Sequence, residues 1–363
     1  MRYPGLITGP QKNVGEQEYG WDYGRMSIDG KKSIDPMLNL GCYTLGYGRM
    51  AIMNYVHNNM CIKPEVAENF FDAQPIKLNN ATWKLAKMLK GLTGYRSIFS
   101  LSGSDAVEGA VKLASAYQKQ IGQPQRNGIV TFKGSYHGST ALTQSMGDGL
   151  FNDPFYTTKP YPNILRLPVD FYVDHYNWDN VMCVVVESCP YSNGIKPHSE
   201  RFWNNIIQIQ KKGVLLIVDD IMTGGGKTGN FVGWKKLPIE PDIFTMGKAI
   251  TGGYFPLSIA LYNDTIHDAL PRRFDWEHGF TYSFSLPGIL SCLAYIKILE
   301  DELLMKKHRD IVVRAVDLFR NLGYTVKGQF GTIIEIEREH RGMYTIPIDA
   351  TEEYYDVLEQ QLK

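Results

Sequence analysis

The sequence contains neither a run of 18 consecutive apolar residues nor an apolar stretch of the secretory type near its start. We therefore expect neither membrane insertion nor export. Its five cysteines form no CxxC pair, and an odd number leaves at least one thiol unpaired. This usage predicts a reducing, cytoplasmic location. Zinc-type spacing of His, Cys, Asp and Glu is also missing, so we predict no metal site.

An excess of charge of either sign is absent as well. The 38 basic and 38 acidic residues balance, so no overall field favours nucleic acid or an anionic membrane as the partner. The 363 residues are 44% hydrophobic and 21% charged, which is typical of a folded protein with a substantial core. Without repeats or low-complexity tracts, the chain is predicted to be one interwoven unit that acts on a small molecule.

From about residue 81, helical periodicity alternates with short β-branched runs. The pattern predicts helices at 81–92, 104–120 and about 202–211, and strands at 97–101, 128–132, 182–188 and 214–220. Alternation of this kind predicts an α/β fold with a mostly parallel sheet. Ligands bind beyond the carboxyl ends of such strands. Polar loops follow all four runs: SGSDA, KGSYHGS, SCPYSNG and DIMTGGGKTG.

The first of these loops leads directly into a predicted helix. Free backbone N–H groups and the positive end of the helix dipole would face the loop, so Gly103 and Ser104 are candidates for holding a phosphate. The alternative is a simple N-cap by Ser102 or Ser104, with Asp105 in the first turn. The sequence alone leaves both interpretations open.

Two predicted strands end in carboxylates, Glu187 and Asp219. A carboxylate at the end of a buried strand is costly unless it meets a cation or hydrogen-bond donors. The protonated nitrogen of a pyridine ring would satisfy Asp219 and would in turn be kept charged by it. A structural salt bridge or a helix cap is the alternative.

Lys248 follows the apolar run of Ile243 and Phe244. Near an apolar pocket, a lysine loses part of its preference for the charged form, and the neutral amine can attack an aldehyde. A surface lysine is the alternative. In the second loop, Tyr136 and His137 are candidates for stacking on a planar ring or donating a hydrogen bond, or else form a packed loop.

The segment GGGKTG does not indicate nucleotide binding. The pattern GxxxxGK[ST] requires glycine five positions before Gly226, and Ile221 stands there. We therefore reject ATP as a ligand.

Taken in order, these segments resemble the class III pyridoxal-phosphate (PLP) aminotransferases, which have fold type I. The family's SG[ST]EA, YHG and strand-ending Glu are similar to Ser102–Ala106, Tyr136–Gly138 and Glu187. Its DEVxTGFGRTG and PDIxxxGKxxxGGxP are similar to Asp219–Gly229 and Pro241–Pro256. His278–Ser283 resembles HGxTYSGNP. The resemblance covers roughly residues 20 to 300.

The resemblance implies a cofactor, a fold and a role for each candidate residue. Lys248 would form a Schiff base with PLP and shuttle the proton of the reaction, and Asp219 would pair with the pyridine nitrogen. The other implied cofactor-binding residues are Gly103 and Ser104 at the phosphate, Tyr136 and Ile221 on the two ring faces, His137, Glu187 supporting Asp219, Met222, and Thr281 from the neighbouring subunit of a homodimer.

The fold implied is a large PLP-binding domain at 51–295 with a mostly parallel seven-stranded sheet. A small domain would combine residues 1–50 with a shortened C-terminal part at 296–363, in which GTIIEIE supplies one strand. Neither Arg338 nor Arg341 is a clear counterpart of the family's substrate-carboxylate arginine. Asp220 replaces the family's usual Glu.

The resemblance supports three hypotheses. The first is an aminotransferase that moves an amino group from a donor to a carbonyl acceptor. The second is an intramolecular aminomutase of the glutamate-1-semialdehyde type, suggested by Met222 and by Asn193 in place of a gating Glu. The third is a PLP-binding homologue that has lost catalysis.

Overall fold

The computed structural model describes residues 19–22, 25–28, 31–60, 80–148, 161, 163–192, 194–271 and 278–363. Asn193, on which the aminomutase hypothesis partly depends, lies outside the described residues. So do residues 1–18 of the predicted N-terminal segment.

The described strands form three sheets. The first is a three-stranded antiparallel sheet: β1 (Tyr19–Asp22), β2 (Arg25–Ile28) and β3 (Lys31–Ile34). The second has seven strands: β4 (Arg96–Ser100), β5 (Gly128–Phe132), β6 (Ile164–Leu167), β7 (Val181–Glu187), β8 (Leu215–Asp219), β9 (Ile243–Met246) and β10 (Ser258–Tyr262). The third, antiparallel, contains β11 (Thr325–Phe330), β12 (Ile333–Glu337) and β13 (Arg341–Thr345).

In the seven-stranded sheet, the order is β4-β10-β9-β8-β7-β5-β6. Only β10 runs antiparallel to its neighbours β4 and β9, and the remaining pairs are parallel. The predicted α/β fold with a mostly parallel seven-stranded sheet is therefore confirmed.

The helices of the described residues are α1 (Met50–Met60), α2 (Asn80–Thr93), α3 (Gly103–Gln120), α4 (Ala141–Met146), α5 (Glu200–Gln210), α6 (Asp264–Ala269), α7 (Leu286–Asp301), α8 (Leu304–Asn321) and α9 (Glu352–Leu362). Short 3-10 turns occur at Val173–His175, Gly233–Lys236 and Lys248–Thr251. The three helices and four strands that periodicity predicts all lie within two residues of their observed bounds. No helix in these ranges is long and apolar enough to cross a membrane.

The large sheet is covered on both faces, which explains its continuous apolar strands. Every residue of β7 is buried. Along β8, Leu216 and Val218 face one core while Leu215 and Ile217 face the other. Helix α5 packs on the first core and α3 on the second. Burying an aliphatic side chain in this way contributes about 1.5–3 kcal/mol.

A separate core joins the two ends of the described chain. Ile34 packs with the apolar faces of α8, α9 and β12, and its backbone N–H donates to Gln361 at 2.7 Å. The sequence GTIIEIE supplies β12, as predicted.

Candidate active site

An open cleft, whose volume is about 700 Å³ when the adjoining solvent space is included, lies beyond the carboxyl ends of the large sheet. Nine predicted site residues line it: Gly103, Ser104, Tyr136, His137, Glu187, Asp219, Ile221, Met222 and Lys248. Gly138, Cys189, Tyr191 and Ser192 complete the described lining. Residues from the segments that follow five strands, β4, β5, β7, β8 and β9, therefore meet in one concave site, as expected for parallel strands that end at the same edge.

One wall of the cleft is the N-terminus of α3. Ser102 caps the helix by accepting the Asp105 N–H at 3.3 Å, while the Asp105 carboxylate accepts the Ser102 N–H at 3.1 Å. The capping interpretation is therefore correct for this pair. It does not compete with anion binding, because Gly103 and Ser104 still line the cleft at the positive end of an 18-residue helix.

A close approach between two loops shapes the same wall. Ser104 Oγ accepts the backbone N–H of Ser139 at 3.1 Å. Gly138, the residue before Ser139, has φ +128°, and a Cβ atom at this position would collide with Ser104 Oγ. Only glycine fits this position, both for its backbone conformation and for the space available.

Asp219, the last residue of β8, is held by the buried His137. His137 Nδ1 donates to Asp219 Oδ2 at 2.9 Å, and the other carboxylate oxygen accepts the Ile221 N–H at 3.2 Å. Burial alone would lower the pKa of His137, but its hydrogen bond with Asp219 and the charges of Asp219 and Glu187 raise it. An acidic side chain with its remaining lone pairs toward the cleft is thereby fixed in place.

Glu187 lies beside Asp219 on the adjacent strand and contacts a different group. Its Oε2 accepts the backbone N–H of Tyr136 at 3.1 Å. Burial, with a smaller contribution from the neighbouring Asp219 charge, raises the pKa of Glu187 to about 7 against the opposing effect of His137. Glu187 therefore anchors the Tyr136 loop and influences Asp219 only through charge.

Lys248 begins the 3-10 turn after β9, in the left-handed conformation with φ +50°. Its Nζ donates to the thioether sulfur of Met222 at 3.3 Å. Burial lowers the pKa of Lys248, although Cys42, Asp219 and Glu187 favour its charged form. This residue is not the surface lysine of the alternative interpretation: its amine points into the cleft and is easier to deprotonate than usual.

Ile221 and Met222 form the apolar side of the cleft. Ile221 packs against the backbone of Gly103 and Gly247, where added Cβ atoms would lie 3.2 and 3.1 Å from its side chain. Met222 belongs to a small buried apolar cluster with Cys189, Ile195 and Ile333. A flat ligand in the cleft would therefore meet an aliphatic surface.

Thr281 does not line the cleft of its own chain. It is exposed, as are Phe280 and Tyr282 beside it. Neither arginine considered for a substrate carboxylate lines the described cleft: Arg341 pairs with the buried Glu335, and Arg338 lies over the ring of Tyr324.

Sequence reasoning missed some residues around the site. Cys189, Tyr191 and Ser192 lie in the loop SCPYSNG, whose position after Glu187 was a usable signal. Cys42 and Lys227 carried no such signal. Cys42 comes from the N-terminal segment and lies close enough to Lys248 to affect its pKa, and Lys227 is fully buried behind Met222.

The geometry fits a phosphorylated pyridine aldehyde. The α3 N-terminus suits the phosphate, Asp219 suits a protonated ring nitrogen, Tyr136 and Ile221 suit ring faces, and Lys248 suits the aldehyde carbon.

Fold and site together define a PLP-dependent enzyme of fold type I. Residues 23–345 match the family model described as aminotransferase class-III, so the chain belongs to the class III aminotransferases. The family match confirms the class of enzyme and the cofactor that the motifs predict.

Individual relatives agree with this assignment. A 308-residue alignment with the [LysW]-aminoadipate semialdehyde/glutamate semialdehyde transaminase of Sulfolobus acidocaldarius is 31% identical and covers 79% of this chain and 70% of the relative. An aminotransferase of Sinorhizobium fredii is 28% identical over 78% of this chain and 66% of its own length. The chain thus spans about two thirds of these relatives.

Solved structures show the same fold. A PLP-bound amine transaminase from an uncultivated Pseudomonas species superposes with a TM-score of 0.83, covering 100% of this chain and 97% of that chain at 19% identity.

Proposed function

We propose that the protein transfers an amino group from an amine donor to a carbonyl acceptor, with PLP held covalently by Lys248. One observation carries the proposal: Lys248, Asp219 and the N-terminus of α3 line one cleft. PLP supplies an electron sink for the bond that breaks at the amine-bearing carbon of the substrate.

Each lining residue has a proposed task. Lys248 would hold the cofactor, and its amine, which lines the cleft, would carry the proton of the reaction. Asp219 keeps the ring nitrogen protonated, and His137 orients Asp219. Gly103 and Ser104 bind the phosphate. Tyr136 and Ile221 enclose the ring, Glu187 anchors the Tyr136 loop, and Met222 contacts the Lys248 amine.

The proposed substrate classes are based on similarity to relatives whose names state what they act on. The Sulfolobus relative acts on semialdehydes and the Pseudomonas structure is an amine transaminase. We therefore propose a primary amine as donor and an aldehyde or oxo acid as acceptor.

The test is a screen of the purified holoenzyme with amines of four kinds: an α-amino acid, an ω-amino acid, a diamine and an arylalkylamine. A productive donor should change the visible absorbance of the bound cofactor, and an oxo acceptor should restore it. If no donor of any kind alters the absorbance of a fully loaded protein, the transfer function is wrong. That outcome would instead support the non-catalytic PLP-binding homologue.

The aminomutase alternative depends on Met222, which lies against the Lys248 amine. Glutamate 1-semialdehyde supplied alone distinguishes the two functions. An aminomutase would convert all of it to the isomeric amino acid, whereas an aminotransferase would require a separate amine donor for continued turnover.

We further propose a homodimer in which Thr281 contributes to the phosphate site of the partner subunit. The supporting observations are the exposure of Thr281 and its neighbours and the hydrogen-bonding distance of 3.1 Å between His278 Nε2 and the Asp105 carbonyl oxygen, which ties this segment to the first turn of α3. Sedimentation of the holoenzyme tests the stoichiometry.

Two further predictions stay proposals. A small domain made from 1–50 and 296–363, beside a large domain at 51–295, is supported by the core that Ile34 shares with α8 and α9. A cytoplasmic location is supported by the four described cysteines, which are all unpaired. Fractionation of cells that express the protein tests the location.

A further inference from the structure

Lys227 is buried without a matching negative charge close by. Its side chain is fully shielded from solvent, and its Nζ donates to two backbone carbonyls, Gly41 at 3.2 Å and Gly224 at 3.1 Å. Within the described ranges, no carboxylate comes within ion-pair distance of this amine. Burying an ammonium group in this way is costly, so a lysine here requires a compensating role.

The Gly41 carbonyl ends an unusual backbone segment. Leu38–Gly41 are all left-handed, with φ of 47°, 49°, 57° and 79°. For residues other than glycine this conformation costs about 1–2 kcal/mol each. At the start of the turn, Asp35 accepts the N–H groups of Met37 and Asn39 at 2.9 and 2.7 Å. At the other end of the turn, Lys227 Nζ donates a hydrogen bond to the Gly41 carbonyl.

The left-handed turn presses on Met222. A Cβ at Gly41 would lie 2.9 Å from Met222 Cε and 3.6 Å from Lys227 Cε, so the three groups are in contact. On its other side, the Met222 sulfur accepts from Lys248 Nζ at 3.3 Å. Lys227, Gly41, Met222 and Lys248 therefore form a continuous series of contacts that ends at the reactive amine.

We propose that Lys227 is a positioning residue for Lys248: by holding the Gly41 carbonyl, it fixes the left-handed turn against Met222 and so fixes the thioether that contacts the Lys248 amine. This inference rests on the proposed role of Lys248. Lys227 does not line the cleft, so it acts without touching substrate.

Electrostatics supports the same arrangement. Burial and, less strongly, the Lys248 charge lower the pKa of Lys227 to about 7, against the opposing effects of Cys42 and Asp220. The groups that face Lys227 are thus Lys248, Cys42 and Asp220, and His308 bonds only its backbone carbonyl.

The experiment compares Lys227→Met, Lys227→Arg and the exposed control Lys235→Met as holoenzymes. We expect Lys227→Met to change the pH midpoint of the cofactor's visible absorbance by about 0.5 or more. Its kcat should fall about tenfold because the amine is misplaced, while KM for the amine donor changes far less. Arginine can still donate to the two carbonyls, so Lys227→Arg should keep kcat closer to the wild-type value than Lys227→Met does, and Lys235→Met should equal wild type.

A readout without cofactor separates positioning from activity. In the apoprotein, hydrogen–deuterium exchange of peptides covering residues 36–47 should be faster in Lys227→Met than in Lys235→Met. If Lys227→Met lowers only the thermal unfolding midpoint and leaves the absorbance midpoint and kcat unchanged, Lys227 is merely structural and the proposal is overturned.

Met222→Ala keeps the proposal testable if Lys227→Met does not fold. The series of contacts requires the thioether, so Met222→Ala must change the absorbance midpoint; an unchanged midpoint overturns the proposal. Failure of the proposed function would look different, because the wild-type protein itself would then show no amine-responsive absorbance.

Discussion

Glu187 and Asp219 are direct neighbours across β7 and β8, at the last paired position of the two parallel strands. Their surroundings differ. Asp219 has His137 at hydrogen-bonding distance, whereas Glu187 has one backbone donor. Two adjacent carboxylates in a buried site cannot both be ionised cheaply. Burial, together with the neighbouring charge, lets Glu187 retain its proton to a higher pH than usual, while Asp219 is paired with His137.

The raised pKa of Glu187 predicts a pH-dependent stability. Between its ordinary value of 4.5 and about 7, the folded protein binds more protons at this residue than the unfolded chain does. Its contribution to the free energy of unfolding should therefore decline as pH rises through that window, by about 3 kcal/mol in total. Glu187→Gln should remove this decline.

Urea denaturation of the apoproteins at about pH 5 and about pH 8 measures this effect. The exposed Glu300→Gln serves as the matched control and should follow wild type. Equal pH dependence in Glu187→Gln and wild type would contradict the prediction.

Lys248→Ala should abolish both the visible absorbance of the covalently held cofactor and amino transfer, with a loss in kcat of at least about 1,000-fold. The measurement is the absorbance spectrum of protein loaded with PLP, followed by single-turnover mixing with the best donor. Lys235→Ala, at an exposed position, should retain both properties. Full activity in Lys248→Ala would refute its assignment.

Gly138→Ala should weaken cofactor binding about tenfold or more. The added methyl group would collide with Ser104 Oγ and would move the loop that closes the phosphate site. Fluorescence titration of the apoprotein with PLP measures the dissociation constant. Gly91→Ala is the control, because nothing lies within 4 Å of that position and α2 should, if anything, be stabilised. Unchanged affinity in Gly138→Ala would show that this loop does not shape the phosphate site.

Mixing two inactive variants tests the role of Thr281. If Thr281 serves the partner's site, Lys248→Ala and Thr281→Val subunits refolded together should regain about a quarter of the wild-type sites, because each heterodimer contains one intact site. The intact site combines Lys248 of one chain with Thr281 of the other. Activity no greater than the average of the two separate variants would place Thr281 in its own subunit or outside the site.

Periodicity predicted four of the seven strands and three helices, because strands such as β7 and β8 are buried along their whole length and helices such as α5 bury one face. The strand-end rule then brought Gly103, Tyr136, Glu187 and Asp219 together without any knowledge of distances. These inferences succeeded because the carboxyl ends of parallel strands all lie at the same edge of the sheet.

The same reasoning could not reach groups that depend on long-range packing. Nothing in the letters GGGKTG shows that Lys227 is buried, since lysine is usually a surface residue. The left-handed turn at Leu38–Gly41 also contradicts local preference, because only one of its four residues is glycine. Lys227 is buried because it bonds the distant Gly41 carbonyl, and the turn is held by that long-range contact together with the neighbouring Asp35 carboxylate.

The antiparallel strand β10 lies between β4 and β9 and so separates the two strands that lead into the candidate site. Ser258 at its start pairs with Ser100 at the end of β4, and the next residue, Ile259, pairs with Met246 at the end of β9. The strands that lead to the phosphate cradle and to Lys248 are thus two strand spacings apart, about 10 Å. Because β10 is antiparallel, it begins at this edge of the sheet, and the loop after its carboxyl end lies at the opposite edge. A ligand that contacts both the loop after β4 and Lys248 must therefore span the width of β10, so the position of this strand sets a minimum length for the ligand.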